Sequence, residues 1–383
     1  MVPGRFVLDL PENRIGILSY DFHPPVGGQG VAAYELFKRL NDTPGQEVVA
    51  VSSREADVPG HIRIKTFKHL DLGVLFFSLR VNLVLGRIIK RARLDLLHVN
   101  GGPGGVILLR RPAVPLVYYA CHTYAQQERF LKRAVYRFMK LLERVGYRRA
   151  DRIVAISTTT RDSLVEDYGI PAGRIDVIHC GVDCDSFRPL GLRKIPDSVL
   201  YVGRLCPRKN IPSLIKAIEQ VRSELPGVKL YIVGEGEQRK MLEEMVEARG
   251  LSTSVEFTGR VSNEELVEWY NRAEVFVLPA VFEGFGLVCA EAMACGTPAV
   301  GVSGPGVIDV ITDGETGILV GASFEEISAA ITRLLKDSAL REEMGRRAAD
   351  AVRDRFNWDV IAREMAGLYR ACLSAADDSN KPG

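Results

Sequence analysis

Two loops in the second half of this 383-residue chain hold the side chains best placed by type and spacing to do chemistry. The first is Gly203-Arg204-Leu205-Cys206-Pro207-Arg208-Lys209-Asn210, directly after the apolar run Ser198–Val202 and before a helical pattern that begins near Pro212. Arg204 and Lys209 stand five residues apart there. Such a pair can converge on a diphosphate, because a guanidinium offers a planar fork of donors and an ammonium a compact charge. A solvated basic loop is the plainer alternative. The second is Glu283-Gly284-Phe285-Gly286-Leu287-Val288-Cys289-Ala290-Glu291, after a run that ends at Pro279. The glycines on either side of Phe285 keep Glu283 on the loop while Leu287–Ala294 begins a helix. A carboxylate so placed accepts hydrogen bonds from a polyhydroxylated ligand, and N–H groups at the helix start support nearby negative charge. Glu291 lies about one turn further in. As a pair the two carboxylates would also suit glycoside hydrolysis, given the right separation across a cleft. A Glu capping its own helix beside a surface Glu is the structural alternative.

The first half offers Val26-Gly27-Gly28-Gln29-Gly30, after one strand candidate and at the start of a helical pattern. Glycines there let backbone approach a ligand, and a helix start attracts phosphate. The spacing is not Gly-x-Gly-x-x-Gly, so no dinucleotide fingerprint is present and a dehydrogenase is a distant reading. His122 follows another strand candidate; a single His at such a place is more often structural. Asp183-Cys184-Asp185 reads as a turn. Cys180 and Cys184 lack the second ligand pair a zinc site needs, so no metal is expected. Gly234-Glu235-Gly236 is a fragment of a nucleotide fingerprint.

The elements that must hold these loops repeat in two series. Arg14–Tyr20, Glu47–Ser52, Leu94–Asn100, Val114–Tyr119 and Arg152–Ser157 are short apolar runs separated by helical patterns, the first of which is Val31–Leu40. Ser198–Val202, Lys229–Val233, Ser254–Thr258, Val275–Leu278 and Ala299–Val302 form the second series, with Asp183–Pro196 as the linker. Continuous apolar runs of this length suit parallel strands covered on both faces. Two doubly wound α/β domains facing a central cleft follow, with ligands beyond the carboxyl ends of the strands.

Composition bounds the rest. The chain is 46% hydrophobic and 26% charged with 36 Gly and 19 Pro, which excludes disordered, collagen-like and coiled-coil classes. Pro3, Asp9 and Pro11 interrupt the first twenty residues, so no signal peptide is expected, and seven scattered Cys suit a reducing, cytoplasmic setting. The net charge of +2 conceals an asymmetry: residues 1–190 carry 27 Lys and Arg against 19 Asp and Glu, and the remainder 23 against 29. The excess concentrates in Arg63–Arg93 and Arg129–Arg152, where cations interleave with apolar residues at helical spacing. Stretches of this kind lie on an anionic bilayer or pack a core with a solvated cationic face. Neither arranges aromatics for base stacking, so nucleic acid is not an expected partner.

In their order, these motifs resemble the retaining, nucleotide-sugar-dependent glycosyltransferases of family 4, which have the GT-B fold of two Rossmann-like domains. The resemblance covers nearly the whole chain: Gly27-Gly28-Gln29-Gly30, Ala150 to Ser157, Val177–Asp183, Val202-Gly203-Arg204 with Lys209, Val233–Gly236, and Glu283–Glu291 followed by Ala292–Val300. It implies an acceptor-side domain over residues 1–188, completed by a last helix over 357–383, and a donor domain over 189–356. It implies that Arg204 and Lys209 grip the donor diphosphate, that Glu291 binds ribose hydroxyls, and that Glu283 holds the transferred sugar with backbone amides of Phe285, Gly286 and Leu287. Gly27 and Gly28 would close over the phosphates, Arg260 and Val261 would contact the base, and His122 would approach the sugar. Asn100 and its loop would line the acceptor site. The family's later Gly-Gly-x-x-Glu stands here as Gly304-Pro305-Gly306-Val307-Ile308-Asp309, one methylene shorter, and Cys180 takes a place often held by Asn.

The function so implied is metal-independent hexosyl transfer to an acceptor hydroxyl on a glycan, a lipid or a small molecule. The nucleotide sugar serves as co-substrate and no cofactor is needed. The protein is expected in the cytoplasm, with peripheral contact to the inner membrane face open. A nucleotide-sugar epimerase or phosphorylase, or a non-catalytic carbohydrate-binding protein, remains as an alternative.

Overall fold

The computed structural model describes residues 13–24, 27–66, 70–131 and 134–379. Residues 1–12, 25–26, 67–69, 132–133 and 380–383, among them Val26 of the Gly-rich turn, lie outside that description. The chain divides into two units. Unit 1 comprises residues up to Ile178 together with Ile361 onward, and unit 2 comprises His179–Val360.

Unit 1 contains β1 (Asn13–Leu18), α1 (Gly28–Asn41), β2 (Gln46–Ser52), β3 (Ile62–Arg63), α2 (Leu70–Ala92), β4 (Leu96–Gly101), β5 (Leu116–Ala120), α3 (Tyr124–Leu131), α4 (Ala134–Arg149), β6 (Arg152–Ala155), α5 (Thr158–Glu166) and β7 (Ile175–Val177). Its strands form one parallel sheet in the order β3-β2-β1-β4-β5-β6-β7. Ile17 pairs with Ala50 on one side and His98 on the other, so β1 and β4 sit side by side at the centre. Ile15, Ile17, Leu97, Val117 and Ile153 are completely buried, as strands covered by helices on both faces require. The edge strands β3 and β7 have two and three residues.

Unit 2 contains β8 (Ser198–Val202), α6 (Ile211–Glu224), β9 (Lys229–Val233), α7 (Arg239–Ala248), β10 (Val255–Gly259), α8 (Asn263–Arg272), β11 (Val275–Leu278), α9 (Leu287–Ala294), β12 (Ala299–Val302), α10 (Val307–Val310), β13 (Gly317–Val320), α11 (Phe324–Lys336) and α12 (Ser338–Phe356). The sheet order is β10-β9-β8-β11-β12-β13, again all parallel. In each sheet the winding reverses once, between β1 and β4 and between β8 and β11. Chain diverges on both sides of that point and leaves a crevice at the strands' carboxyl ends, where α/β sheets bind ligands. The linker Asp183–Pro196 is irregular and fastened to unit 2: Leu190 N donates to Asn271 Oδ1 (2.7 Å), and Lys194 Nζ donates to Ala273 O and Thr297 Oγ1 (both 2.8 Å). Asp183 shapes its turn by accepting from Asp185 N and Ser186 Oγ.

The last helix, α13 (Trp358–Ser379), begins in unit 2 and belongs to unit 1 from Ile361. Ile361, Met365 and Tyr369, four residues apart, are buried on one stripe. Tyr369 OH meets His98 Nδ1 at 2.6 Å, and His98 Nε2 meets Asn100 Oδ1 at 2.7 Å. Complete burial holds the His98 imidazole down to about 4, so the ring is neutral near neutral pH. Because Asn100 Oδ1 only accepts, Nε2 carries the proton and Nδ1 accepts from Tyr369. Tyr369→Phe leaves Nδ1 buried without a donor. That substitution should cost about 1–3 kcal/mol of unfolding free energy, measurable by denaturant titration.

Candidate functional site

At the unit 2 reversal point, backbone contacts bring the chemically equipped loops together. Gly203 N donates to Val233 O (3.0 Å) and Leu205 N to Glu235 O (3.0 Å), which lays the loop after β8 along the loop after β9. This contact is what the fingerprint fragment Gly234-Glu235-Gly236 serves: Gly234 has φ +133, and a Cβ there would fall 2.0 Å from Gly203 O. On the other side, Val281 N donates to Arg208 O (3.2 Å) and Arg208 Nη1 to Phe282 O (3.0 Å), joining the loops after β8 and β11. The loop after β12 supports the same place, since Pro305 O accepts from Glu283 N (3.3 Å).

Those contacts fix a charged cluster. Lys209 Nζ stands 2.5 Å from Glu283 Oε1, and Arg208 Nη1 stands 3.0 Å from the same oxygen. Lys209 and Glu283 are both buried, whereas Arg208 is half-buried. Burial pushes the Glu283 carboxyl up, but the adjacent Lys209 and Arg208 charges outweigh it and hold the group below its ordinary value. Arg204 is not part of this cluster. Its side chain is exposed and forms no ion pair among the described residues, while its carbonyl accepts from Tyr201 OH (3.1 Å). Loop spacing and the family resemblance both name Arg204 as the partner of Lys209 on the diphosphate; the guanidinium beside Glu283 belongs to Arg208, the residue before Lys209.

Phe285 is buried and packs against two rings, His179 (centroids 5.6 Å apart, near-parallel) and Phe356 (5.3 Å, edge-on). His179 thus joins the site's inner wall, a role its place in the sequence motif did not reveal. Gly286 adopts φ +89 and starts α9, whose first N–H groups, including that of Leu287, lack intrahelical acceptors. Glu291 lies one turn deeper in a separate environment. Tyr270 OH donates to its Oε2 (2.8 Å), and its largely apolar surroundings push the carboxyl up to about 7 against that hydrogen bond. Both carboxylates act on Cys289: after burial, first Glu283 and then Glu291 push its thiol up, with Lys209 opposing. Arg260 is exposed and Val261 half-buried on the loop after β10, at the same sheet end.

In unit 1 the corresponding loops surround the start of α1. Gly27, exposed, donates its N–H to Asp21 Oδ2 (3.0 Å), and Gly28 has open space where a Cβ would project. The glycine that the packing demands is Gly30, where a Cβ would fall 2.4 Å from Asp21 Oδ2. Asn100 is completely buried, and its amide is committed: Nδ2 donates to Gln29 O (3.1 Å) and Ser19 Oγ (3.3 Å). It therefore fastens β4 to α1 instead of presenting a free amide. His122 is half-buried beyond β5, where Gln127 Nε2 donates to its Nε2 (2.9 Å). Among the described residues, no three His, Cys, Asp or Glu side chains gather as a metal site requires.

Two family models match the chain in succession: Glycosyltransferase Family 4 over residues 26–186 and Glycosyl transferases group 1 over residues 185–351. A D-inositol 3-phosphate glycosyltransferase of Paenarthrobacter aurescens (strain TC1) is 34% identical over 303 residues, covering 74% of each chain. Another of that name, from Streptomyces avermitilis, is 33% identical over 246 residues; the match covers 59% of this chain and 53% of that relative, about half its length. Among solved structures, a sucrose-phosphate synthase from Thermosynechococcus elongatus superposes with a TM-score of 0.80 at 24% identity, over 95% of this chain and 100% of that one.

The Glu291 carboxyl, half-buried in largely apolar surroundings, makes stability depend on pH. The folded protein keeps its proton up to about 7, while an unfolded chain loses it near the ordinary value of 4.5. The stabilisation is therefore complete below about 4.5 and is lost as pH rises through 7, amounting to at most about 3 kcal/mol. Glu291→Gln lacks this titration. Denaturant unfolding should show wild type losing ground to the variant between about pH 5 and pH 8.

Proposed function

The chain belongs to the family 4-type glycosyltransferases of GT-B fold, and from that premise we propose that it transfers a sugar from a nucleoside diphosphate sugar to a hydroxyl of an anionic acceptor, with retention at the anomeric carbon. The observation that carries this reading is the convergence of Lys209, Arg208 and Glu283 at the reversal point of the unit 2 sheet. Two cations beside one buried carboxylate supply what a diphosphate-linked sugar needs: charge for the phosphates and an acceptor for sugar hydroxyls.

In this scheme, donor binding exchanges the Lys209–Glu283 ion pair for ligand contacts. Lys209 turns to the diphosphate with Arg204, and Glu283 accepts from hydroxyls of the sugar. The N–H groups of Phe285, Gly286 and Leu287 at the start of α9 face the same ligand. Glu291 takes the ribose hydroxyls, and Arg260 and Val261 contact the base. The bond from the anomeric carbon to the phosphate oxygen breaks, and the diphosphate leaves with the electron pair, stabilised by fixed cations and helix N-termini instead of a metal. The acceptor oxygen forms its bond on the same face, and its proton passes to the departing phosphate oxygen. Unit 1 takes the acceptor through the loops that carry Asn100 and His122.

The excess of cations in residues 1–190 supports an anionic acceptor. The relative from Paenarthrobacter aurescens, by its name, acts on such a molecule, D-inositol 3-phosphate.

Lys209→Ala should lower turnover on the order of a hundredfold or more, read as nucleoside diphosphate release from a panel of donor sugars. Near-normal turnover overturns the assignment. A nucleoside diphosphate should raise the wild-type melting temperature and shift the variant less. The anomeric configuration of the product, read by NMR, tests retention.

A further inference from the structure

Two helices of unit 1 expose apolar side chains that its core does not use. On α4, Met139, Glu143 and Tyr147 face inward, while Val135, Phe138 and Leu141 on the adjoining stripe are exposed, the last two by 59% and 60%. On α2, Val74, Phe77, Val81 and Leu85 are buried. Leu75, Leu79 and Leu83, spaced four apart, are exposed, the last two by 53% and 72%. Both helices are tied to one segment. Ile107 N donates to Ser78 Oγ (3.2 Å), Asn82 Nδ2 to Ile107 O (2.9 Å) and Leu109 N to Asn82 Oδ1 (2.7 Å). The Ile107 side chain clusters with Met139 of α4. Leu109, further along this segment, is itself exposed.

The flanks of both stripes are cationic. Arg87, Lys90 and Arg91 on α2 are exposed and form no ion pair among the described residues, and Arg148 on α4 is likewise exposed. Elsewhere on α4, Arg137 and Lys140 are paired with Glu128 (3.4 Å) and Asp167 (3.6 Å), whereas these four cations have no such partner among the described residues. The one acid in α4, Glu143, is buried and accepts from Tyr147 OH, Tyr168 OH and Tyr124 N. Helices with an exposed apolar stripe beside uncompensated Lys and Arg match an interface that is greasy within and negative at its surface. A second copy of the same face would set these cations against one another. Among the described residues no helix is long and apolar enough to cross a membrane, so the fitting geometry is one of helices lying along it.

We infer that the face formed by α2, Leu109 and α4 docks on an anionic lipid bilayer. The inference deepens the reading of an anionic acceptor and rests on it for its purpose, because a docked unit 1 is supplied with acceptors from lipid headgroups. The contact itself is testable without sugar transfer.

Full-length protein is sedimented with vesicles of phosphatidylcholine alone and with vesicles containing about a third phosphatidylglycerol. Wild type should pellet with the anionic vesicles only, and less as salt rises. The variant Leu79→Gln with Phe138→Gln and Leu141→Gln, and separately Arg87→Glu with Lys90→Glu, should each partition at least about tenfold more weakly with an unchanged melting temperature. Lys209→Ala should sediment as wild type does, which separates failure of this inference from failure of the enzymatic reading. The inference is overturned if wild type ignores anionic vesicles, or if the folded variants bind as well as wild type. It also falls if light scattering shows a dimer that Phe138→Gln dissolves while no vesicle binding is seen.

Discussion

A carboxylate and an ammonium taken out of water together are the feature on which unit 2 turns. Desolvating Lys209 and Glu283 costs several kcal/mol per ion, and their attraction recovers that only with good geometry. The protein supplies the geometry with backbone: Arg208 is bonded through its carbonyl and its guanidinium to Val281 and Phe282, and Glu283 through its N–H to Pro305. Apolar side chains of similar volume would hold these loops as well or better. The proposed donor site gives an ion pair in this place a use, since a pair whose partners separate readily suits a site that exchanges an internal contact for an external one.

The two carboxylates of the site illustrate how environment divides like groups. Glu283 lies beside two cations and is held ionised. Glu291, eight residues on, accepts from Tyr270 and is pushed toward its neutral form. An ionised group accepts hydrogen bonds strongly and repels phosphate, whereas a neutral one also donates. One short helix with its preceding loop thus presents two different chemistries.

Much of this was legible from residue types and order. Four strands of unit 2, β8, β9, β11 and β12, begin and end where the apolar runs do, because buried parallel strands are written as unbroken apolar stretches bounded by Gly, Pro or charge. The helix Leu287–Ala294 was set by the glycine before it. The edge strands β3, β7 and β13 were not read, since they are short, half-exposed and carry little periodicity. The place of Arg208 beside Glu283 was not legible, because spacing along a loop does not say which side chain its turn directs inward; the short helical turn Pro207–Lys209 sets that direction. Asn100 was named with its loop as acceptor lining, and its amide is committed to contacts with residues 71 and 81 positions away. Long-range pairing of that kind leaves no trace in a local pattern.

The hydrogen bond between His98 and Tyr369 joins residues 271 positions apart. On the ribosome, the strands of unit 1 emerge before unit 2, yet the amphipathic helix that closes over them follows unit 2. Until it arrives, the face destined for Ile361, Met365 and Tyr369 stays open to water and to other chains. Unit 1, begun before unit 2, is therefore completed only after unit 2 has been made, and it cannot be cut away as an independent piece without taking α13 with it.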